Sequence, residues 1–231
     1  MIICGLNKTT LLDYPGRLSA VLFLGNCNFR CAFCQNKSLV LEPESQPSIP
    51  EDEVLYFLKK RSNLLQGVCI TGGEPTLSPD LPDFIAKIKA IGLPVKLDTN
   101  GYLPDVIQNL LSDKLIDMIA MDIKNSPSGY ASITGLKHVD LNRIDKSVSI
   151  IMQKKIPYEF RTTVVNEYFS EQTFEAVGSW LKGADCCFLQ AFQNSDTVIT
   201  PGLTSPSKED LESFRNILLK YIPSVFIRGV D

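Results

Sequence analysis

Ala20-Val21-Leu22-Phe23-Leu24-Gly25-Asn26-Cys27-Asn28-Phe29-Arg30-Cys31-Ala32-Phe33-Cys34 is an apolar, strand-like run that empties into a loop carrying three cysteines in a C-x3-C-x2-C array. Thiolates at this spacing reach a common metal or an iron–sulfur cluster from one short loop, because each needs only about a turn of backbone to bring its sulfur round. A closed structural zinc site wants a fourth Cys or His. The single histidine, His138, lies more than a hundred residues away, and Cys4, Cys69, Cys186 and Cys187 have no partner spacing. Three readings stay open on spacing alone: a three-thiolate [4Fe–4S] cluster with one open iron, a structural zinc in a non-catalytic interaction protein, and buried thiols without a metal.

The rest of the chain alternates strand-like and amphipathic segments. Strands are expected near Ala20–Leu24, Val68–Thr71, Val95–Asp98, Met118–Ile123, Tyr158–Val164, Cys186–Gln190 and Val225–Ile227, with helices between them. Ser48 with Glu51 reads as a capping box, Ser78 precedes a proline at a first helical position, and Ser170 and Ser207 look like further caps. Strand then helix, repeated, implies parallel strands joined by right-handed crossovers. The 231 residues, 44% of them hydrophobic, suffice for one core, and no low-complexity linker divides them. The expected fold is α/β, one domain over residues 1–231, a partial (β/α)6 TIM-like barrel with mainly parallel strands; a closed eight-unit barrel needs more chain.

Unusual residues fall at the carboxyl ends of these strands. The cysteine loop follows the first, Gly72-Gly73-Glu74-Pro75 the second and Asp98-Thr99-Asn100-Gly101 the third. Asp122 and Lys124 close the fourth, Arg161 sits within the fifth, and Gln190 and Gln193 lie near the end of the sixth. That face holds the active site in barrel-like α/β folds. A net charge of −3 without a basic cluster argues against nucleic acid. No run approaches a membrane span, no signal peptide opens the chain, and seven cysteines fit a reducing compartment, so a cytoplasmic protein is expected. A single remote histidine is a poor basis for a Ser-His or Cys-His hydrolase.

Asn26 through Asn36, including the aromatic Phe33 just before the third cysteine, closely resembles the radical S-adenosylmethionine superfamily. The resemblance implies that Cys27, Cys31 and Cys34 hold a [4Fe–4S] cluster whose open iron binds S-adenosylmethionine, and that Gly72, Gly73 and Glu74 meet its methionine amino group. Asp98, Thr99 and Asn100 match the D-T-N-G of glycyl-radical activating enzymes, and Asp122 with Lys124 their D-x-K. This implies cofactor contacts and a small monovalent cation beside the methionyl carboxylate. Arg161 matches a family contact to S-adenosylmethionine, and Gln193 stands near a ribose contact. Thr9 through Gly16 resembles the opening of the longer anaerobic ribonucleoside-triphosphate reductase activating proteins, and a related motif places Asp13 against the substrate glycine loop. The implied partners are a glycyl radical enzyme and a flavodoxin- or ferredoxin-like donor. Rival readings are activation of another glycyl radical enzyme, such as a formate-lyase, and radical chemistry on a small molecule.

Overall fold

The computed structural model describes residues 1–230. Eight strands form one sheet in the order of the chain: β1 Ile3–Thr10, β2 Ser19–Leu24, β3 Gly67–Gly72, β4 Val95–Thr99, β5 Met118–Asp122, β6 Tyr158–Val164, β7 Cys186–Ala191 and β8 Ser224–Arg228. β1 pairs antiparallel with β2, and every later neighbour is parallel. The sheet stays open between β1 and β8. Helices α1 Lys37–Leu41, α2 Glu51–Lys60, α3 Leu81–Ala90, α4 Pro104–Ser112, α5 Tyr130–Thr134, α6 Leu141–Ile151, α7 Glu171–Trp180 and α8 Lys208–Leu218 fill the crossovers. Six strand–helix units, β2 through α8, make the expected partial barrel, and β8 follows them.

The central strands read as continuous apolar runs because helices cover their outer face. Val68, Ile70, Val95, Leu97, Ile119, Met121 and Phe160 lie in the core, with Phe84, Ile88, Ile107, Leu110 and Phe174 packed from the helices. On the inner face the register brings polar residues level: Ala120 pairs with both Asp98 and Glu159, and Asp122 with Arg161.

Two local expectations are corrected. No strand is expected ahead of Ala20, yet eight residues there form β1; Gly5 and the polar Asn7-Lys8-Thr9-Thr10 hide an edge strand whose outer half stays exposed. Ser48 and Ser78 cap nothing with their side chains: α2 starts after Pro50, and α3 after Asp80, with Pro82 in its first turn. Ser170 and Ser207 do cap α7 and α8, each with a reciprocal capping box.

Candidate functional site

The cysteine loop is held from three directions. Below, Gly73 N donates to Leu24 O and Glu74 N to Asn26 O, each at 2.8 Å. On one side Arg30 N reaches Thr134 O at 2.7 Å; on the other, Thr200 N reaches Ala32 O at 2.9 Å and Ile199 N reaches Cys34 O at 3.2 Å. The aromatic residues between the thiols pin the loop from inside. Phe29 and Phe33 are buried, Phe29 edge-on to Tyr102 at 5.3 Å and Phe33 tilted against Tyr168 at 6.4 Å. The glycines beneath are required by packing, since a Cβ on Gly73 would fall 1.9 Å from Asn26 O and one on Gly72, at φ +115°, 2.4 Å from Leu24 N.

Above these glycines opens a cavity of about 880 Å³, counted out to its mouth. Cys27, Cys31, Cys34, Phe33, Gly72, Gly73, Asp98, Thr99, Asn100, Asp122 and Lys124 all line it, so residues from four strand ends converge on one mouth. Phe29, Gln35, Asn36, Val40, Thr71 and Thr163 line it too and were not among the expected site residues. Asn36 had a signal, standing two places after the third cysteine; its Nδ2 donates to Gly72 O at 2.9 Å and ties the loop to the glycine turn.

Four expected residues take other places. Glu74 is 1% exposed and lies behind the cavity wall. Its Oε1 accepts from the Thr76 and Thr99 hydroxyls and Thr76 N, and its Oε2 from Asn100 N at 2.6 Å. It braces the β3 turn against the β4 turn. Arg161 also lies behind the lining and spends its guanidinium on Asp98 and Asp122. Gln193 is exposed, and its backbone oxygen receives Gln35 Nε2 at 2.8 Å. Asp13 accepts from Thr10 Oγ1 at 2.8 Å, beside the first residue of β2. That puts it at the amino end of the parallel strands, the length of β2 away from the thiols, roughly 17–20 Å. Next to it the buried ring of Tyr14 packs beneath Gly67, where a Cβ would come within 2.8 Å of the ring.

The cavity floor is an ion network. Arg161 Nη1 meets Asp98 Oδ2 and its Nη2 meets Asp122 Oδ1, both at 2.9 Å. Lys96 Nζ holds Asp98 Oδ1 at 2.6 Å, and Lys124 Nζ holds Asp122 Oδ2 at 3.0 Å. Glu159, below, pairs with Lys96 at 3.7 Å and Arg228 at 3.2 Å. Burial works against the charge on Asp98 and Asp122, but Arg161 with Lys96 holds Asp98 below the usual carboxylate range, and Arg161 with Lys124 brings Asp122 down to about 2. Lys124 is raised despite its burial, because Asp122 and Cys31 favour its charge.

Burial pushes the Cys27 thiol up to about 12, with Glu74 adding to the rise, and Cys31 to about 11 against the pull of Lys124. Without a metal these thiols keep their protons at neutral pH, and thiolate ligation has to displace them. Cys27 Sγ already accepts from Phe29 N at 3.4 Å and lies 3.9 Å from Asn100 Nδ2. All seven cysteines are free. Among the described residues no three Cys, His, Asp or Glu side chains close round a single ion position. A zinc ion needs its sulfurs about 2.3 Å from one point, whereas a cluster spreads its thiolates over several irons, so three thiols ringing a cavity suit the cluster better.

Residues 21–181 match the model of the radical SAM superfamily. The chain belongs to that superfamily. Membership implies a [4Fe–4S] cluster and S-adenosylmethionine, which the three thiols and the cavity beside them fit. This radical SAM chain is 31% identical over 236 aligned residues to a Methanocaldococcus jannaschii protein named as a candidate glycyl-radical enzyme activating enzyme, covering 100% of this chain and 97% of that one. A second M. jannaschii protein of the same designation is 26% identical over 95% of this chain and 80% of its own length. Among solved structures, Streptococcus suis SuiB bound to S-adenosylmethionine superposes with a TM-score of 0.68 at 16% identity, over 90% of this chain. The chain spans about half the length of SuiB, 52%, and at that identity the likeness shows the fold. No described helix is long and apolar enough to cross a membrane.

Proposed function

We propose that this chain is an activase that installs a glycyl radical on a partner enzyme. The observation that carries the reading is one cavity shared by three free thiols and the Asp98, Asp122 and Lys124 side chains, in a chain matched over its full length by a relative named as a candidate activating enzyme. Cys27, Cys31 and Cys34 would hold the cluster, which when bound and reduced would supply the one electron for cleavage of S-adenosylmethionine to methionine and so the means to remove a hydrogen atom from a glycine α-carbon.

The chain's own share is binding, orientation and exclusion of water. The turn at Gly72 and Gly73 lets a ligand lie against backbone. Lys124, with donors left beyond its bond to Asp122, faces the cavity and suits a carboxylate. The charges of the floor are mutually paired, Asp98, Asp122 and Glu159 with Lys96, Lys124, Arg161 and Arg228, so that it offers both signs to a zwitterionic amino-acid end. No acid or base is required for hydrogen-atom transfer, in keeping with a cavity lined by no histidine.

The likeness of Thr9–Gly16 supports anaerobic ribonucleoside-triphosphate reductase as the partner, with a flavodoxin- or ferredoxin-like donor in the cytoplasm. Anaerobic reconstitution should yield about four irons and four sulfides per chain. Dithionite and S-adenosylmethionine should then give 5′-deoxyadenosine, and incubation with the candidate reductase a glycyl-radical resonance. Deoxyadenosine without a radical on any protein points to a small-molecule substrate, and a colourless zinc protein removes the enzyme reading.

A further inference from the structure

The resemblance to activating enzymes implies a small cation between two carboxylates, and the residues present do not fit one. Asp98 and Asp122 offer four oxygens, all engaged at 3.0 Å or less by cationic side chains: those of Asp98 by Lys96 and Arg161, those of Asp122 by Arg161 and Lys124. Arg161 lies between the two carboxylates, with both Nε and Nη2 at 2.9 Å from Asp122 Oδ1 and Nη1 turned to Asp98. Neighbouring oxygens are engaged as well. Thr99 Oγ1 donates to Glu74 and accepts from Gly101 N, and Asn100 Oδ1 accepts from Tyr102 N at 2.9 Å.

A hard cation needs a shell of free oxygens. Here it would have to displace a guanidinium whose charge the two carboxylates already neutralise. We propose that Arg161 is a built-in replacement for the cation, so that the site keeps its shape and binds S-adenosylmethionine without sodium or potassium. The binding half of this inference rests on the activase reading; the structural half does not. Arg161 is thereby a positioning residue: its planar fork sets the separation of Asp98 and Asp122, and through Asp122 the place of Lys124.

The test compares choline chloride with potassium and sodium chloride at equal ionic strength. Melting of the metal-free protein should be the same in all three salts, and calorimetric S-adenosylmethionine affinity of the reconstituted protein should agree within about twofold. Arg161→Gln should melt lower in choline and recover part of the loss in potassium or sodium, which a merely structural loss would not do. Arg161→Lys, which keeps the charge but lacks the fork, should fall between, and it serves if the Gln variant fails to fold. A saturable gain in wild-type melting or an affinity rise of about tenfold with either cation overturns the proposal. So does a Gln variant, or the Lys variant in its place, no more cation-responsive than wild type. Absence of S-adenosylmethionine binding in every salt overturns the activase reading, while the melting comparison still decides on Arg161.

Discussion

Glu74→Gln separates a brace from a ligand contact. In the structure the carboxylate receives only donors: Thr76 N, the Thr76 and Thr99 hydroxyls and Asn100 N. An amide presents an acceptor to one side of this cage and an N–H to the other. With its oxygen kept on the three-donor side, its nitrogen faces Asn100 N and leaves that buried donor unpaired, a cost of about 1–3 kcal/mol. Charge-assisted bonds to the remaining donors weaken to neutral ones, roughly another 1 kcal/mol. Burial of the charge works the other way, since it raises the Glu74 pKa above the ordinary value despite the hydrogen bonds from Asn100, Thr76 and Thr99. Losing the charge returns part of that cost. The net expectation is a loss of about 2 kcal/mol in the metal-free protein. With a urea slope of about 3 kcal/mol/M the midpoint drops by about 0.7 M, with the slope unchanged. Equilibrium urea unfolding of the apoprotein under reductant measures it. Unchanged apoprotein stability together with weakened S-adenosylmethionine binding would refute the bracing role.

Three further outcomes are expected. Cys27→Ala should lose bound iron and deoxyadenosine formation together, and full cleavage activity in that variant would sink the ligand assignment. Asn100→Ala removes the amide nitrogen 3.9 Å from Cys27 Sγ; a lost N–H···S contact should lower the cluster's midpoint potential, read by redox titration under electron paramagnetic resonance, and an unchanged potential counts against that contact. Asp122 is depressed to about 2 in the fold, so its stabilising share is complete above the unfolded value of about 3.9 and is lost as the pH falls through 2. That share is about 2 kcal/mol, so apoprotein melting should fall more steeply between pH 4 and 2 in wild type than in Asp122→Asn, and equal slopes would exclude the ion network as the cause.

Most of the barrel was legible because buried parallel strands are spelled in near-continuous apolar residues, and the site because its polar residues interrupt those runs at one end. β1 was not, since an edge strand exposed on one side needs no such run. Side-chain direction was the other blind spot. Glu74 and Arg161 fall at the expected positions along their strands, yet four donors draw one behind the wall and two carboxylates consume the other. These partners are set by inter-strand register, which no local motif encodes. Asp13 is expected at the substrate through a motif resemblance alone, and β2 runs its full length between it and the cysteine loop.

The thiol loop lies in the first sixth of the chain, but its lateral anchors are Ile133 and Thr134 on one flank and Ile199 and Thr200 on the other. A nascent chain that has presented Cys27, Cys31 and Cys34 has only the support beneath the loop, from Gly72 to Glu74, until those much later residues leave the ribosome, where synthesis proceeds N-terminus first at about 5–20 residues per second. The loop is therefore braced on both flanks only in a nearly finished polypeptide, and truncations that end before residue 199 should leave the Ala32 and Cys34 carbonyls without their partners.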